Sequence, residues 1–506
     1  MRNRILLLLL LAWHLSATAQ VTDSTSTKHE ALVEHLSLFN ELSVISRTNP
    51  AMMETAYQYS LTNFHLTADW QKMSEPFVLQ KGTGHFTAAM KADSYVRLSE
   101  NTAVWGKASY TTGKKYDIKW NSVADYDLLE PDVLGDTVGG STRMECYAFE
   151  GGYGTHINSW HVGGEMLFRA EQEYRKVDPR TRSIVSDLTL RAGVGYDISH
   201  YTLDFGMQGN IYRQTNSVDF YKPLGSVPEY QLMGLGEVYT RFSGDINDLI
   251  FKGGGIKLQL GLAPHYGNGV IANAWASQHS WQRVARLLNS LPLTTLYNKE
   301  VGLRLGWERK GDIDYAMWGD YQFNRRSSDQ HIAGTSSSQI YPVIAHLTMY
   351  KNYIINTSVT AMVGNQGTTS WVVKVRGGYS GNRQHFVHPR RTMKYGHAFG
   401  EVMGQLMLHP SKSWTLTTQV DGSYHGCTNN YLLLPLATME PHFTRMLEHN
   451  FNVLKSNFTH AGARLRADYH IGNTRYSIFG EVQYGITISS THEHQNNLLF
   501  SLGVNI

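Results

Sequence analysis

The residues with most chemical potential in this sequence are charges set inside otherwise apolar, alternating segments. Arg191, Lys257, Arg304, Lys374, Arg376, Arg464 and Arg466 are basic, and Asp204, Glu308, Asp468 and Glu481 are interleaved with them. Residues 188–196 show the pattern: Leu188, Leu190, Ala192, Val194 and Tyr196 alternate with Thr189, Arg191, Gly193 and Gly195. Successive side chains of an extended chain point to opposite faces, so the charges share one face and the apolar residues the other. Charges withdrawn from bulk water must be paired or hydrated. Two arrangements are open: a cross-strand ladder of ion pairs filling an interior, or a wetted polar channel that passes small solutes.

Other clusters carry less. His385, His388 and His397 lie near the basic residues Arg383, Arg390, Arg391 and Lys394, and His492-Glu493-His494 lies near the end of the chain. Their spacing matches no compact metal template, so solvated loop histidines and no metal are expected. The basic segment 382–394 reads as a charged outer loop able to attract an anionic ligand or lipid phosphate. No spacing of Ser, His and acid points to a nucleophile held by a base, so neither catalysis nor a cofactor is expected. Pairing of Cys146 with Cys427 stays open. A net charge of +3 gives no sign of a nucleic-acid partner.

The same alternation recurs at 201–208, 256–262, 301–308, 371–379, 463–470 and 476–488. These runs are longer than the ~5–6 residues typical of strands in soluble proteins. Short turns are expected at Asn158-Ser159, Ser199-His200, Lys310-Gly311-Asp312, Lys351-Asn352 and Gly472-Asn473. Long loops are expected at 120–141, 217–233, 267–294 and 428–443. Short turns at one end and long loops at the other suit a barrel in an outer membrane. The mean hydropathy of −0.33 fits, because every second residue would face a polar lumen. The fold class predicted is all-β: a transmembrane antiparallel β-barrel of about 16 strands, within 14–18, with short periplasmic turns and long extracellular loops. Between 353 and 410 the count is ambiguous, since 364–369 reads as either a hairpin tip or a bulge; 442–456 is equally ambiguous.

The chain opens Met1-Arg2-Asn3-Arg4, continues with apolar residues 5–11, and reaches a small-x-small site at Ala17-Thr18-Ala19. Those features predict a signal peptide over 1–19 and export. Residues 20–52 form a periplasmic or lumenal segment with a short helix, Leu32, Leu36 and Phe39 recurring at helical spacing. The barrel then occupies 53–506. Asn49, Pro50 and Ala51 stand directly before the first strand, where Asn-Pro favours a turn.

Asn49-Pro50-Ala51 at this position resembles the N-terminal region of fatty-acid-transporter-like barrels, and also barrels of the Bacteroidota type 9 secretion and gliding apparatus. The first resemblance implies that the segment folds into the barrel as a hatch. The whole chain resembles uncharacterised Bacteroidota outer-membrane barrels. Leu498, Phe500, Leu502, Val504 and Ile506 share a face, and this resembles the terminal strand read by the barrel-assembly machinery. Only about 35 residues stand between the cleavage site and strand one, too few for the plug of a 22-stranded receptor. The expected function is a transport channel or porin-like barrel gated by its N-terminal segment; the alternative is a non-transporting subunit of a larger uptake or secretion complex. Expected partners are outer-membrane lipid, the assembly machinery and a protein at the outer loops.

Overall fold

The computed structural model describes residues 25–41, 48–221, 229–242, 248–265, 267–337, 340–367, 369–435, 439–472 and 474–506. The expected signal peptide lies outside them. The strands are β1 (Leu61–Met73), β2 (Gly84–Ser99), β3 (Thr102–Ile118), β4 (Leu134–Gly135), β5 (Gly140–Ile157), β6 (Trp160–Arg175), β7 (Arg180–Ile198) and β8 (Tyr201–Asp219). Next come β9 (Tyr230–Gly234), β10 (Glu237–Val238), β11 (Asp248–Pro264), β12 (Gly269–Ala285), β13 (Leu291–Arg309) and β14 (Asp314–Ala333). The chain ends with β15 (Val343–Gln366), β16 (Ser370–Phe386), β17 (Arg391–Ser411), β18 (Trp414–Leu433), β19 (Phe458–His470), β20 (Ser477–Ser489) and β21 (His494–Asn505).

Eighteen of these form one antiparallel sheet, and β4, β9 and β10 form a small separate one. β1 pairs with β2 on one side and with β21 on the other, so the large sheet closes on itself and has no free edge. Its two faces differ sharply. Leu190, Leu260, Leu305 and Leu502 are each more than 50% exposed, whereas Asp204 is 1% exposed. Apolar outside and polar inside inverts a soluble protein and matches a lipid-facing barrel, whose backbone groups are all satisfied between strands. Aromatic side chains ring the end where the shortest turns lie. There Trp160 stands 4.7 Å from Tyr196 and Trp414 5.0 Å from Tyr469, the amphipathic belt expected where lipid meets water.

The strand number is 18, not about 16. The expected loop at 267–294 is instead β12 and the start of β13. The outward stripe of β12 runs Val270, Ala272, Ala274, Ala276 and Gln278, mostly alanine, so its alternation in hydrophobicity is faint. The expected turn at Lys351-Asn352 lies inside β15, where Asn352 is fully buried and pairs in register with Arg326. A polar dipeptide signals a turn only when neither side chain has a polar interior to face. Segment 364–369 is a hairpin tip between β15 and β16, and most of 442–456 is a helix, Pro441–Leu454.

Connections at the end where the chain enters β1 and leaves β21 are uniformly short. Asn158 and Ser199 there adopt left-handed φ of 56° and 57°, as tight two-residue turns of a twisted ladder require. The opposite end carries the long connections 119–139, 220–247 and 434–457, with short ones among them at 176–179, 286–290, 387–390 and 490–493. The described residues of the long connections fold over that end. Trp120, Leu134, Leu232, Phe443 and Phe451 pack there against wall residues Tyr212, Phe251 and Trp281 as one apolar core.

Candidate functional site

The N-terminal segment begins as a helix, Thr25–Leu36, followed by short 3₁₀ turns at Leu38–Asn40 and Pro50–Thr55. It lies against the inner wall. The Leu38 amide donates to Gln405 Oε1 at 3.0 Å, and Gln405 Nε2 returns a bond to the Leu36 carbonyl at 2.9 Å. Phe39 is buried with Ile271, Trp318 and Val372, and Lys374 Nζ donates to Glu41 at 2.6 Å. Beyond the undescribed residues 42–47, Thr48 donates to Gln259 at 2.6 Å.

Asn49 then has two roles. Its Oδ1 accepts from the Ala51 amide at 3.1 Å, capping the 3₁₀ turn that Pro50 opens, and its Nδ2 donates to Asp204 Oδ1 at 2.7 Å. The Asn-Pro-Ala triplet thus starts a helical turn on the wall rather than strand β1. The wall is shaped for it by missing side chains. A Cβ on Gly193 would stand 1.6 Å from Asn49 Oδ1, and one on Gly163 2.2 Å from the Pro50 carbonyl oxygen. Farther along, the Tyr95 hydroxyl donates to the carbonyls of Met53 (3.0 Å) and Glu54 (3.1 Å). Glu54 Oε1 lies 2.7 Å from His161 Nδ1, and His161 Nε2 lies 2.9 Å from Asp197 Oδ1.

Most of the charges singled out from the sequence have a neighbour. Arg191 donates to Glu165 at 2.7 Å, Arg464 to Glu481 at 2.7 Å and Arg466 to Asp468 at 2.8 Å. Arg304 binds Asp320, Arg376 reaches Glu401 at 3.4 Å, and Lys257 lies 5.5 Å over the Trp275 ring. Glu308 is buried near the short-turn end of β13. Asp204 takes Asn49 instead of a cation. The structure gathers Lys257, Arg304 and Arg376 with Thr48 and Gln259 around a cavity of about 360 Å³. Arg464, Arg466, Asp468 and Glu481 form a separate cluster on β19 and β20. The interior therefore combines ion pairs with a residual polar space.

The segment 382–394 is not an outer loop, because only 387–390 separates β16 from β17. Arg391 is buried and donates to the Leu235 carbonyl at 2.7 Å and to Glu237. His385 is bonded to Thr392 and His397 to the Ser456 carbonyl. Cys146 and Cys427 are unpaired thiols. Wall cations hold the folded loops in the same manner elsewhere. Arg283 donates to the Leu232 carbonyl, Arg326 to those of Asp127 and Glu130, and Arg175 to the Gly139 carbonyl and Asp136. Loop backbone enclosed in a barrel needs such donors, since buried carbonyls are otherwise left without water.

Sequence reasoning missed Glu41, Glu54, Glu165, Gln405 and the glycine seat. The alternation did place Gly193 and Gly195 on the face of Arg191, but nothing local says what a glycine makes room for. Among the described residues, the group able to receive a cation is Glu54, His156 and His161.

A closed antiparallel sheet with an apolar exterior, a polar interior and a segment seated inside defines a membrane-type β-barrel. This chain belongs to the family of unknown function DUF6850, whose model matches residues 50–506. A search of curated proteins finds no match. Similar solved structures include a ferric enterobactin receptor of Pseudomonas aeruginosa, 6% identical with a TM-score of 0.38, over 88% of this chain and 80% of that one. The ferric preacinetobactin receptor of Acinetobacter baumannii is 8% identical with a TM-score of 0.39, over 88% and 80%. The siderophore receptor PiuA of the same organism is 6% identical with a TM-score of 0.38, over 88% and 82%. At these values no functional argument follows from the likeness.

Proposed function

We propose that this protein is a gated transport barrel of the outer membrane, with the short turns in the periplasm, the long loops outside, and a small anionic solute as cargo. The observation that carries the reading is the seating of residues 38–41 and 48–54 on the polar inner wall by replaceable side-chain bonds, chiefly Asn49 to Asp204 and Lys374 to Glu41. A hatch needs contacts specific enough to close and weak enough to release, and single hydrogen bonds to charged groups of about 1.5–3 kcal/mol net suit that. The cavity beside Thr48 sets Lys257, Arg304 and Arg376 against one carboxylate, Asp320, a net basic lining that favours anions. The apolar terminal strand β21 is the element offered to the assembly machinery.

The test is single-channel recording in planar bilayers. The wild-type protein is expected to open rarely. Asn49→Ala with Lys374→Ala is expected to open at least tenfold more often, with anion selectivity. A variant pair that folds but stays silent would overturn the hatch, and silence in every variant would overturn transport. The apolar core of the folded long loops favours a second reading, in which they present a fixed surface to a partner protein as part of a larger complex. Recovery of this chain alone after cross-linking in intact cells would remove that reading.

A further inference from the structure

We propose that Glu54, His156 and His161 bind a divalent transition-metal ion of the zinc type, which fastens the N-terminal segment to the barrel wall. The site goes beyond the transport reading, and its readouts do not depend on conductance.

A hairpin brings the two histidines together. Asn158 and Ser159 turn β5 into β6, and the ladder then sets His156 directly opposite His161. Both rings lie on the inner face, stacked with centroids 4.4 Å apart and planes within 4° of parallel. Glu54 comes from the other partner, the 3₁₀ turn Pro50–Thr55, which the glycine seat holds against β6 and β7. One ligand atom from each of the three lies within 4.8 Å of the others. In a tetrahedral site with Zn–N of ~2.0–2.1 Å, donor atoms stand a little over ~3 Å apart, so small side-chain rotations complete the set.

Burial adds a second observation. The side chains of Glu54 and His161 are 3% and 4% exposed. His156 Nε2 is also buried, yet makes no hydrogen bond. The group facing it is Asp197, whose Oδ2 is 3.7 Å away, too far to bond. A buried nitrogen without a partner calls for an explanation. A protonated His161 between Glu54 and Asp197 would account for that residue but leaves His156 without a role. A metal ion uses both imidazoles as neutral donors. Asp197 lies 2.9 Å from Nε2 of both His161 and His265, placing a second carboxylate where it can ligate or orient the ring nitrogens. Two imidazoles with carboxylate oxygen suit zinc or cobalt, whereas magnesium and calcium select oxygen sets.

The test uses the full mature chain in detergent, stripped with chelator and titrated with Co²⁺ alone. One Co²⁺ per chain with visible ligand-field absorption is expected, displaced by Zn²⁺. Trypsin cleavage after Lys28 and Arg47 is expected to slow about tenfold when Zn²⁺ is added. His156→Gln leaves the contact between Glu54 and His161 intact, so it should fold normally, yet bind Co²⁺ at least tenfold more weakly; Glu54→Gln should also lose the protease protection. Absence of stoichiometric Co²⁺ binding, or binding unchanged in both His156→Gln and His161→Gln, would overturn the site. Binding without any change in cleavage would overturn the fastening.

Discussion

Asn49 joins two structures that the sequence keeps far apart. Its side chain caps the turn at Pro50 and bonds Asp204 on β8. Asn49→Ala removes a cap worth about 1 kcal/mol and leaves the Asp204 carboxylate buried without that donor, a further cost of roughly 1–3 kcal/mol. We expect the segment to become at least tenfold more sensitive to protease while the barrel keeps its folded mobility on unheated gels. Gly193→Ala should act likewise, because its Cβ would stand 1.6 Å from Asn49 Oδ1. Gly206→Ala should be mild, since the nearest Asn49 atom is 3.4 Å away. Equal protease sensitivity in Gly193→Ala and Gly206→Ala would discard the seat. Charge is a property of one residue, so Arg191 and Asp204 could be picked out directly. The space above a glycine belongs to whatever chain arrives there, so the seat could not.

The folded long loops behave as an element with their own chemistry. Arg175 and Asp136 are buried together at 1% and 0% side-chain exposure, and truncating such a pair on one side costs roughly 3–5 kcal/mol. Glu229 enters the same region. Burial, with Asp136 nearby, pushes its carboxyl up to about 8 from an ordinary 4.5. The folded loops therefore hold a proton that the unfolded chain releases. That stability is full below about pH 4.5 and is lost as pH rises through about 8. Amide protection factors in β9 and in the helix Pro441–Leu454, with the base-catalysed rise of intrinsic exchange divided out, should fall across this window by up to about tenfold per pH unit, and stay flat in Glu229→Gln. Unchanged pH dependence in that variant would reject the assignment. The helix was ambiguous in the sequence because its apolar face, Phe443, Met446, Leu447 and Phe451, packs against loops rather than a recognisable partner element. Strand β12 escaped notice for the opposite reason, its outward side being mostly alanine.

For the whole molecule, closure and the apolar exterior decide the solvent. Leu258 lies near the middle of β11 on that exterior and is 45% exposed. Leu258→Arg should destabilise the barrel in lipid vesicles by roughly 2–4 kcal/mol in urea titrations, the cost of Arg near the bilayer midplane. Leu287→Arg, in the connection 286–290 beyond the strands, should cost close to nothing. Equal effects would argue against a lipid belt at this height.

The sequence by itself determined that the strands are two-faced and which residues share a face, because the period of a strand is local and repeats along the chain. Together with strand length, the split of short turns and long loops, and the apolar face of Leu498–Ile506, that points to the barrel class. Only the tertiary structure decided the strand number, the partner of each charge and what lies inside. Lys374 meets Glu41 and Arg391 meets the Leu235 carbonyl across more than 150 residues of sequence. Such contacts depend on barrel closure and on where each loop folds back, and no periodic pattern along the chain encodes either. The Asn49-Pro50-Ala51 triplet shows the division clearly: its capping chemistry is legible in three residues, but its seat is built by glycines more than a hundred residues away.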